Sequence, residues 1–162
     1  MAYSYDGGPI WAERVARGTD HCGSVGPVYE LSTLVIGGTI HDPEDRSYPF
    51  STRRADTRAR RLIYAVDGKY QINVGVDGKR GSGDAVKHET LFHNADVVAA
   101  GEMDIENGVI VAINDHSGSY LTYGSLDLDP AFADAVLIAI DRANAPLDSR
   151  ERLRLGKKAQ RS

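Results

Sequence analysis

The chain has 162 residues, among them 17 Gly, 6 Pro and a single Cys, and its 19 basic and 23 acidic side chains sum to −4. A length near 160 fits one domain that buries roughly 70% of its extended-chain surface, enough for a core without staples. One cysteine excludes an intramolecular disulfide framework and a cysteine zinc site, and no apolar run reaches the roughly 18 residues that a membrane span needs.

The opening Met1-Ala2-Tyr3-Ser4-Tyr5-Asp6 lacks the basic and apolar regions of a secretory signal. A cytoplasmic protein, or one incorporated into a particle assembled in the cytoplasm, is therefore expected, with no membrane as partner. Residues 1–50 read as a Gly/Pro-rich N-terminal segment, punctuated by Gly7-Gly8-Pro9, Gly26-Pro27, Gly37-Gly38, Pro43 and Pro49. The segment has room for a short helix over residues 9–17, with proline suited to its first turn and Gly18 past its end. One strand fits residues 28–36.

Residues 51–148 read as an α+β core. Arg53, Arg54, Arg58, Arg60 and Arg61, with only Asp56 among them, form a solvated helical turn or an anion-binding edge. Residues 62–66, Leu-Ile-Tyr-Ala-Val, make a short apolar strand closed by Asp67-Gly68, a dipeptide that suits a tight hairpin because glycine accepts positive φ. Residues 69–74 alternate polar and apolar with period two, as a half-buried strand does. Asp77-Gly78 and Gly81-Ser82-Gly83 mark a flexible loop. The clearest unit pairs residues 97–105 with 109–113 through Glu106-Asn107-Gly108, since Asn-Gly between apolar runs is a strong hairpin signal. Ala99-Ala100-Gly101 inside the first of these strands marks a bulge or a close backbone approach. One helix follows, with Asp129 as cap, Pro130 at its first position, Phe132, Val136, Leu137 and Ile140 on one face, and Pro146 beyond its end. The expected fold is α+β: a small, mainly antiparallel sheet with one C-terminal helix packed on it.

Residues 149–162 form a basic tail. Arg150, Arg152, Arg154, Lys157, Lys158 and Arg161 stand against Glu151 alone, giving +5 and leaving 13 basic and 22 acidic side chains, hence −9, in the first 148 residues. An acidic body argues against broad nucleic-acid binding and leaves nucleic acid to the tail alone. The two readings of the tail are a solvated terminal extension and a grip on an acidic partner through Arg150, Arg152, Arg154, Lys157 and Lys158. Arg53, Arg54 and Arg58 are the other candidate binding residues.

Few motifs carry chemistry. His21, His41, His88, His93 and His116 show no His-x-x-x-His spacing, so no metal ligand set is assigned. No nucleophile elbow, phosphate loop or dinucleotide fingerprint is present, and no cofactor is assigned. Cys22 has no evident base beside it. Glu102 lies inside an apolar strand, where its carboxylate needs a partner or a cleft that raises its proton affinity.

The order Lys87-His88-Glu89-Thr90-Leu91, Val98-Ala99-Ala100-Gly101-Glu102, Glu106-Asn107-Gly108 and Ser117-Gly118-Ser119-Tyr120 resembles a module found at the C-termini of bacterial polymorphic toxins and in the plant IQ-motif calmodulin-binding family. The resemblance covers residues 61–123, about half the chain. Ser119 stands where that module has histidine, and Glu89 where it has serine. Its two histidines would suit paired acid–base work, and here only His88 keeps its place. His88, Glu102 and Tyr120 are the candidate catalytic residues. His116, three residues before the missing histidine, is a possible substitute.

Two classes of function follow. The first is a non-catalytic protein-binding or assembly module, acting on a protein partner or on further copies of itself. Such a module could be a component of a larger particle, phage structures included, or an accessory of a toxin system. The second is a toxin-like enzyme. A ribonuclease would use His88 as base, Glu102 or His116 as acid and the arginines on phosphate. An ADP-ribosyltransferase using NAD is the other form, and the order Phe50-Ser51-Thr52, residues 62–66 and Glu102 resembles that superfamily, with Glu30 where an early arginine is expected.

Overall fold

A computed structural model of the chain describes residues 2–4, 28–52, 61–77, 88–93, 95–117 and 120–160. The helix expected over residues 9–17, the loop around Gly81-Ser82-Gly83, and Arg53, Arg54 and Arg58 lie outside these residues.

The architecture is α+β, as the sequence implies. Strands β1 (Tyr29–Glu30), β5 (Arg61–Val66), β6 (Ile72–Asp77), β7 (Ala99–Glu106) and β8 (Val109–Ile113) form an antiparallel sheet in the order β1-β6-β5-β7-β8. A second, three-stranded antiparallel sheet joins β2 (Val35–Ile36), β3 (Thr39–Asp42) and β4 (Asp45–Pro49). The helices are α1 (His88–Leu91), α2 (Ser125–Leu128), α3 (Pro130–Arg142) and α4 (Ser149–Ala159). No helix among the described residues is long and apolar enough to cross a membrane.

Strand β5 is central, and its unbroken apolar run follows from that place, because a strand covered on both faces has no polar side to alternate. Leu62, Tyr64 and Val66 join a core shared with Phe132, Val136 and Ile140 of α3, whereas Ile63 and Ala65 point the other way to Leu91, Val97, Ala100 and Tyr120. Helix α3 starts as expected: the Asp129 side chain accepts from the Ala131 N–H at 3.1 Å, and Pro130 takes the first turn.

The β7–β8 hairpin also forms as expected, with Asn107 and Gly108 both at positive φ (48° and 81°). Its tip docks on the second sheet. A Cβ on Gly108 would lie 2.7 Å from Thr39 Cβ, and Gly108 exchanges backbone hydrogen bonds with Ile40 and Phe50. The close approach expected around Ala99-Ala100-Gly101 falls at Gly101, where a Cβ would collide with the Asn114 carbonyl.

Three expectations are corrected. Residues 28–36 are not one strand: a 3₁₀ turn over Leu31–Leu34 separates β1 from β2. Leu31 and Leu34 are both fully buried in the main core. A separation of three residues faces one way in a 3₁₀ turn but opposite ways in a strand, so burial of both leucines selects the turn. The hairpin after β5 forms, but Tyr70 (φ 62°), not Gly68, takes the left-handed position. Finally, the described part of the tail is not a solvated extension: α3 is followed by a second long helix, α4. Leu155 on α4 is fully buried and Glu151 is 5% exposed.

Candidate functional site

The second face of the main sheet carries the three residues proposed for catalysis. Helix α1 is held there by Leu91 in the small core and by the buried Asn73 amide, which donates to the Leu91 carbonyl at 2.8 Å. This places His88 so that its Nε2 lies 2.8 Å from the Gly101 carbonyl oxygen. Tyr120 is 3% exposed, packs with Ile63, Ala65 and Val97, and donates its hydroxyl to the Ala95 carbonyl at 2.9 Å. His88 thus ties α1 to β7, and Tyr120 ties its loop to the segment before β7, each through a backbone oxygen.

Glu102 meets different groups. The chain leaving β8 folds over β7, and Asn114 continues the pairing that the strand has stopped making. Its N–H donates to the Glu102 carbonyl at 3.0 Å, its Oδ1 accepts from the Glu102 N–H at 2.8 Å, and its Nδ2 donates to the Glu102 carboxylate at 3.1 Å. The Asn114 carbonyl accepts the Tyr64 hydroxyl at 2.8 Å. Burial pushes that hydroxyl well above the ordinary phenol range, and the nearby Asp115 charge adds to the push. His116 reaches the same neighbourhood, with Nδ1 3.9 Å from the Glu102 carboxylate and its ring stacked on Tyr123 at 4.9 Å. His116, which the sequence offers as the substitute histidine, thus lies within ion-pair distance of the Glu102 carboxylate, beside its hydrogen-bond partner Asn114.

Beyond Asn114 the loop is pinned from within. Thr122 is fully buried, and its hydroxyl lies 2.7 Å from the Asp115 carbonyl and 3.1 Å from the Ala100 carbonyl. The buried Asp115 carboxylate accepts from the Leu126 N–H at the start of α2 at 2.9 Å. This frame displays Leu121, Tyr123 and Leu128 to solvent at 60%, 62% and 84% exposure. Leu121 sits at φ 54°, a left-handed conformation that costs a non-glycine residue about 1–2 kcal/mol. The signal for these residues in the sequence is three large apolar side chains among the glycine and polar residues between β8 and α3.

The candidate binding residues of the tail mostly find partners inside the chain. Arg152 pairs with Asp141 at 2.7 Å, and Lys158 pairs with Asp127. Arg154 pairs with Glu151 and donates to the Ile113 carbonyl at 2.6 Å, while Glu151 accepts the Ile113 N–H at 2.5 Å. These side chains complete the outer edge of β8, next to the Ile110–Leu147 bridge. The hydrogen bond to Glu151, and then its charge, raise the Arg154 guanidinium above its usual range despite partial burial. The acidic body thus supplies the partners of Arg152 and Lys158, whereas Arg154 pairs with the tail's own Glu151. Arg150, Leu153 and Lys157 share the solvent side of α4, and all three are exposed.

Among the described residues no group of three His, Cys, Asp or Glu side chains is placed to hold a metal ion. No protein family, curated protein or solved structure matches the chain.

Proposed function

We propose that the chain is a non-catalytic assembly module that associates with further copies of itself, with residues 121–128 as its contact surface. The observation that carries this reading is the strip of Leu121, Tyr123 and Leu128, held outward by a buried hydrogen-bond frame and, at Leu121, against backbone strain. Isolated exposed apolar residues need no explanation, but three large ones on one pinned segment mark an interaction surface. Leu128 stands beside Asp129 and beside Asp127, which already pairs with Lys158, so a fitting partner is apolar first and carries cations at its edge. The outer face of α4 has that composition, with Leu153 61% exposed between Arg150 and Lys157. Used in one direction, a contact of helix face on loop strip is head-to-tail and builds rings or filaments. A component of a larger particle is the role this supports, and the resemblance of residues 61–123 to the polymorphic-toxin module suits an accessory of such a system.

Light scattering over a concentration series of the full chain tests the reading. Leu121→Ser/Tyr123→Ser/Leu128→Ser and Arg150→Glu/Lys157→Glu change exposed positions, where substitutions move stability little. The parent chain is expected to be multimeric, and each variant to shift to monomer. A parent chain that stays monomeric up to about 100 μM overturns the proposal.

The toxin-like enzyme reading keeps one favourable observation, the Glu102–His116 contact, which could hold an acid–base pair. Turnover of RNA or NAD that disappears in His116→Ala would support it.

A further inference from the structure

On the other side of the molecule an open recess of about 260 Å³ lies between β1, the β5–β6 turn and the last turn of α3. Its floor is apolar: Ile72, Ala139 and Ala143 are 3%, 1% and 6% exposed. Two alanines one helical turn apart leave open the space that larger side chains would fill. The lining carries charges of both signs, Lys69 and Arg142 from the turn and the helix and Glu30 from β1. Arg142 is fixed in place. Its Nη1 donates to the Lys69 carbonyl at 3.0 Å, and its guanidinium carbon stands 5.2 Å from the centroid of the Tyr70 ring. That carbonyl contact uses one of the five guanidinium N–H donors. Tyr70 holds its ring there from a left-handed backbone, a strained choice where glycine or asparagine is usual, and such strain clusters at ligand clamps.

We infer that this recess binds a small zwitterion, an α-amino acid with an apolar side chain. Its carboxylate would meet Arg142 and Lys69, its ammonium Glu30, and its side chain the Ile72–Ala139–Ala143 floor. A dianion is disfavoured by Glu30, and an uncharged apolar ligand leaves the lining charges without a role. The site is small and half open, which suits weak binding with a Kd of about 1 mM. This inference does not rest on the assembly surface, because none of its residues belongs to that strip.

Titration of the full chain with L-leucine, followed by amide NMR shifts, is the test. Saturable shifts are expected at Ser32, Lys69 and Gln71. Two analogues remove one charge each: 4-methylpentanoate lacks the ammonium and 3-methylbutylamine lacks the carboxylate. Each is expected to bind at least about tenfold more weakly than L-leucine. Glu30→Gln and Lys69→Gln alter exposed side chains, so both should fold and both should raise the Kd for L-leucine. The inference is overturned by the absence of saturable shifts up to about 20 mM. It is equally overturned if either analogue matches L-leucine or if Glu30→Gln leaves the Kd unchanged.

Discussion

Glu151→Ala tests whether the tail helix closes the main sheet. The carboxylate is 5% exposed and serves two neighbours, the Ile113 N–H at 2.5 Å and the Arg154 guanidinium at 2.5 and 2.8 Å. Removing it leaves a buried strand-edge N–H without its acceptor, which costs about 1–3 kcal/mol. The lost pairing adds less. The Arg154 side chain is 42% exposed and water takes over its charge, so this part is about 0.5–1 kcal/mol. The sum is about 1.5–4 kcal/mol, with the orphaned N–H as the larger share. Glu151→Gln keeps an oxygen for Ile113 and is expected to cost about 1 kcal/mol. The Arg152–Asp141 pair is nearly as short, but its side chains are 45% and 57% exposed, so Arg152→Ala should cost about 0.5 kcal/mol or less. Burial, not distance, separates the two pairs. Urea unfolding at neutral pH measures all three variants, and hydrogen exchange of the Ile113 amide reports the edge directly. A cost below about 0.5 kcal/mol for Glu151→Ala, or unchanged Ile113 protection, would refute the reasoning. Leu155 and its neighbours would then hold α4 unaided.

Three further outcomes follow from the same geometry. Gly101→Ala drives a methyl group into the Asn114 carbonyl and should destabilise the fold by about 3 kcal/mol, read from thermal or urea unfolding; a neutral result would mean that the loop after β8 moves freely. Tyr64→Phe should cost about 1 kcal/mol at neutral pH by losing the hydroxyl bond to Asn114. It should also flatten the fall of Tm at high pH. Burial raises the Tyr64 hydroxyl, so its protonated form is favoured in the folded state; that contribution is complete below the unfolded value near 10.0 and is lost as pH climbs towards the folded value. Equal alkaline slopes for parent and variant would remove Tyr64 as a cause. Leu121→Gly relieves the left-handed strain and should raise stability by about 0.5–1 kcal/mol while weakening self-association. A loss of stability on calorimetry would instead show that the Leu121 side chain contributes to packing.

Local chemistry made several elements legible in the sequence. Asn107-Gly108 between apolar runs, Asp129-Pro130 before a helical face and the apolar run at 62–66 each specify their structure through contacts a few residues apart, and each formed. The α+β class followed from their order. What failed depended on distance in the chain. Residues 28–36 have strand-like composition, yet Leu31 and Leu34 turn to one side because the core formed by β5, β6 and α3 lies there. The turn at Asp67-Gly68 is a local exception: the Asp67 carboxylate accepts from the Lys69 and Gln71 N–H groups, and the longer loop it holds puts the left-handed position at Tyr70.

The candidate site divides in the same way. His88, Glu102 and Tyr120 were found as residue types, and all three lie on or beside the second face of the sheet. Their partners were not readable, since Gly101, Asn114 and Ala95 are brought to them by the crossing of the chain after β8 and by the docking of α1. The basic tail shows the limit most clearly. Composition determined that residues 149–162 are strongly cationic and that the rest of the chain is acidic. Only the tertiary structure decided that the two meet. Burial of Leu155 brings α4 against β8, and once there its lone carboxylate and one arginine satisfy a strand edge that would otherwise be open to water.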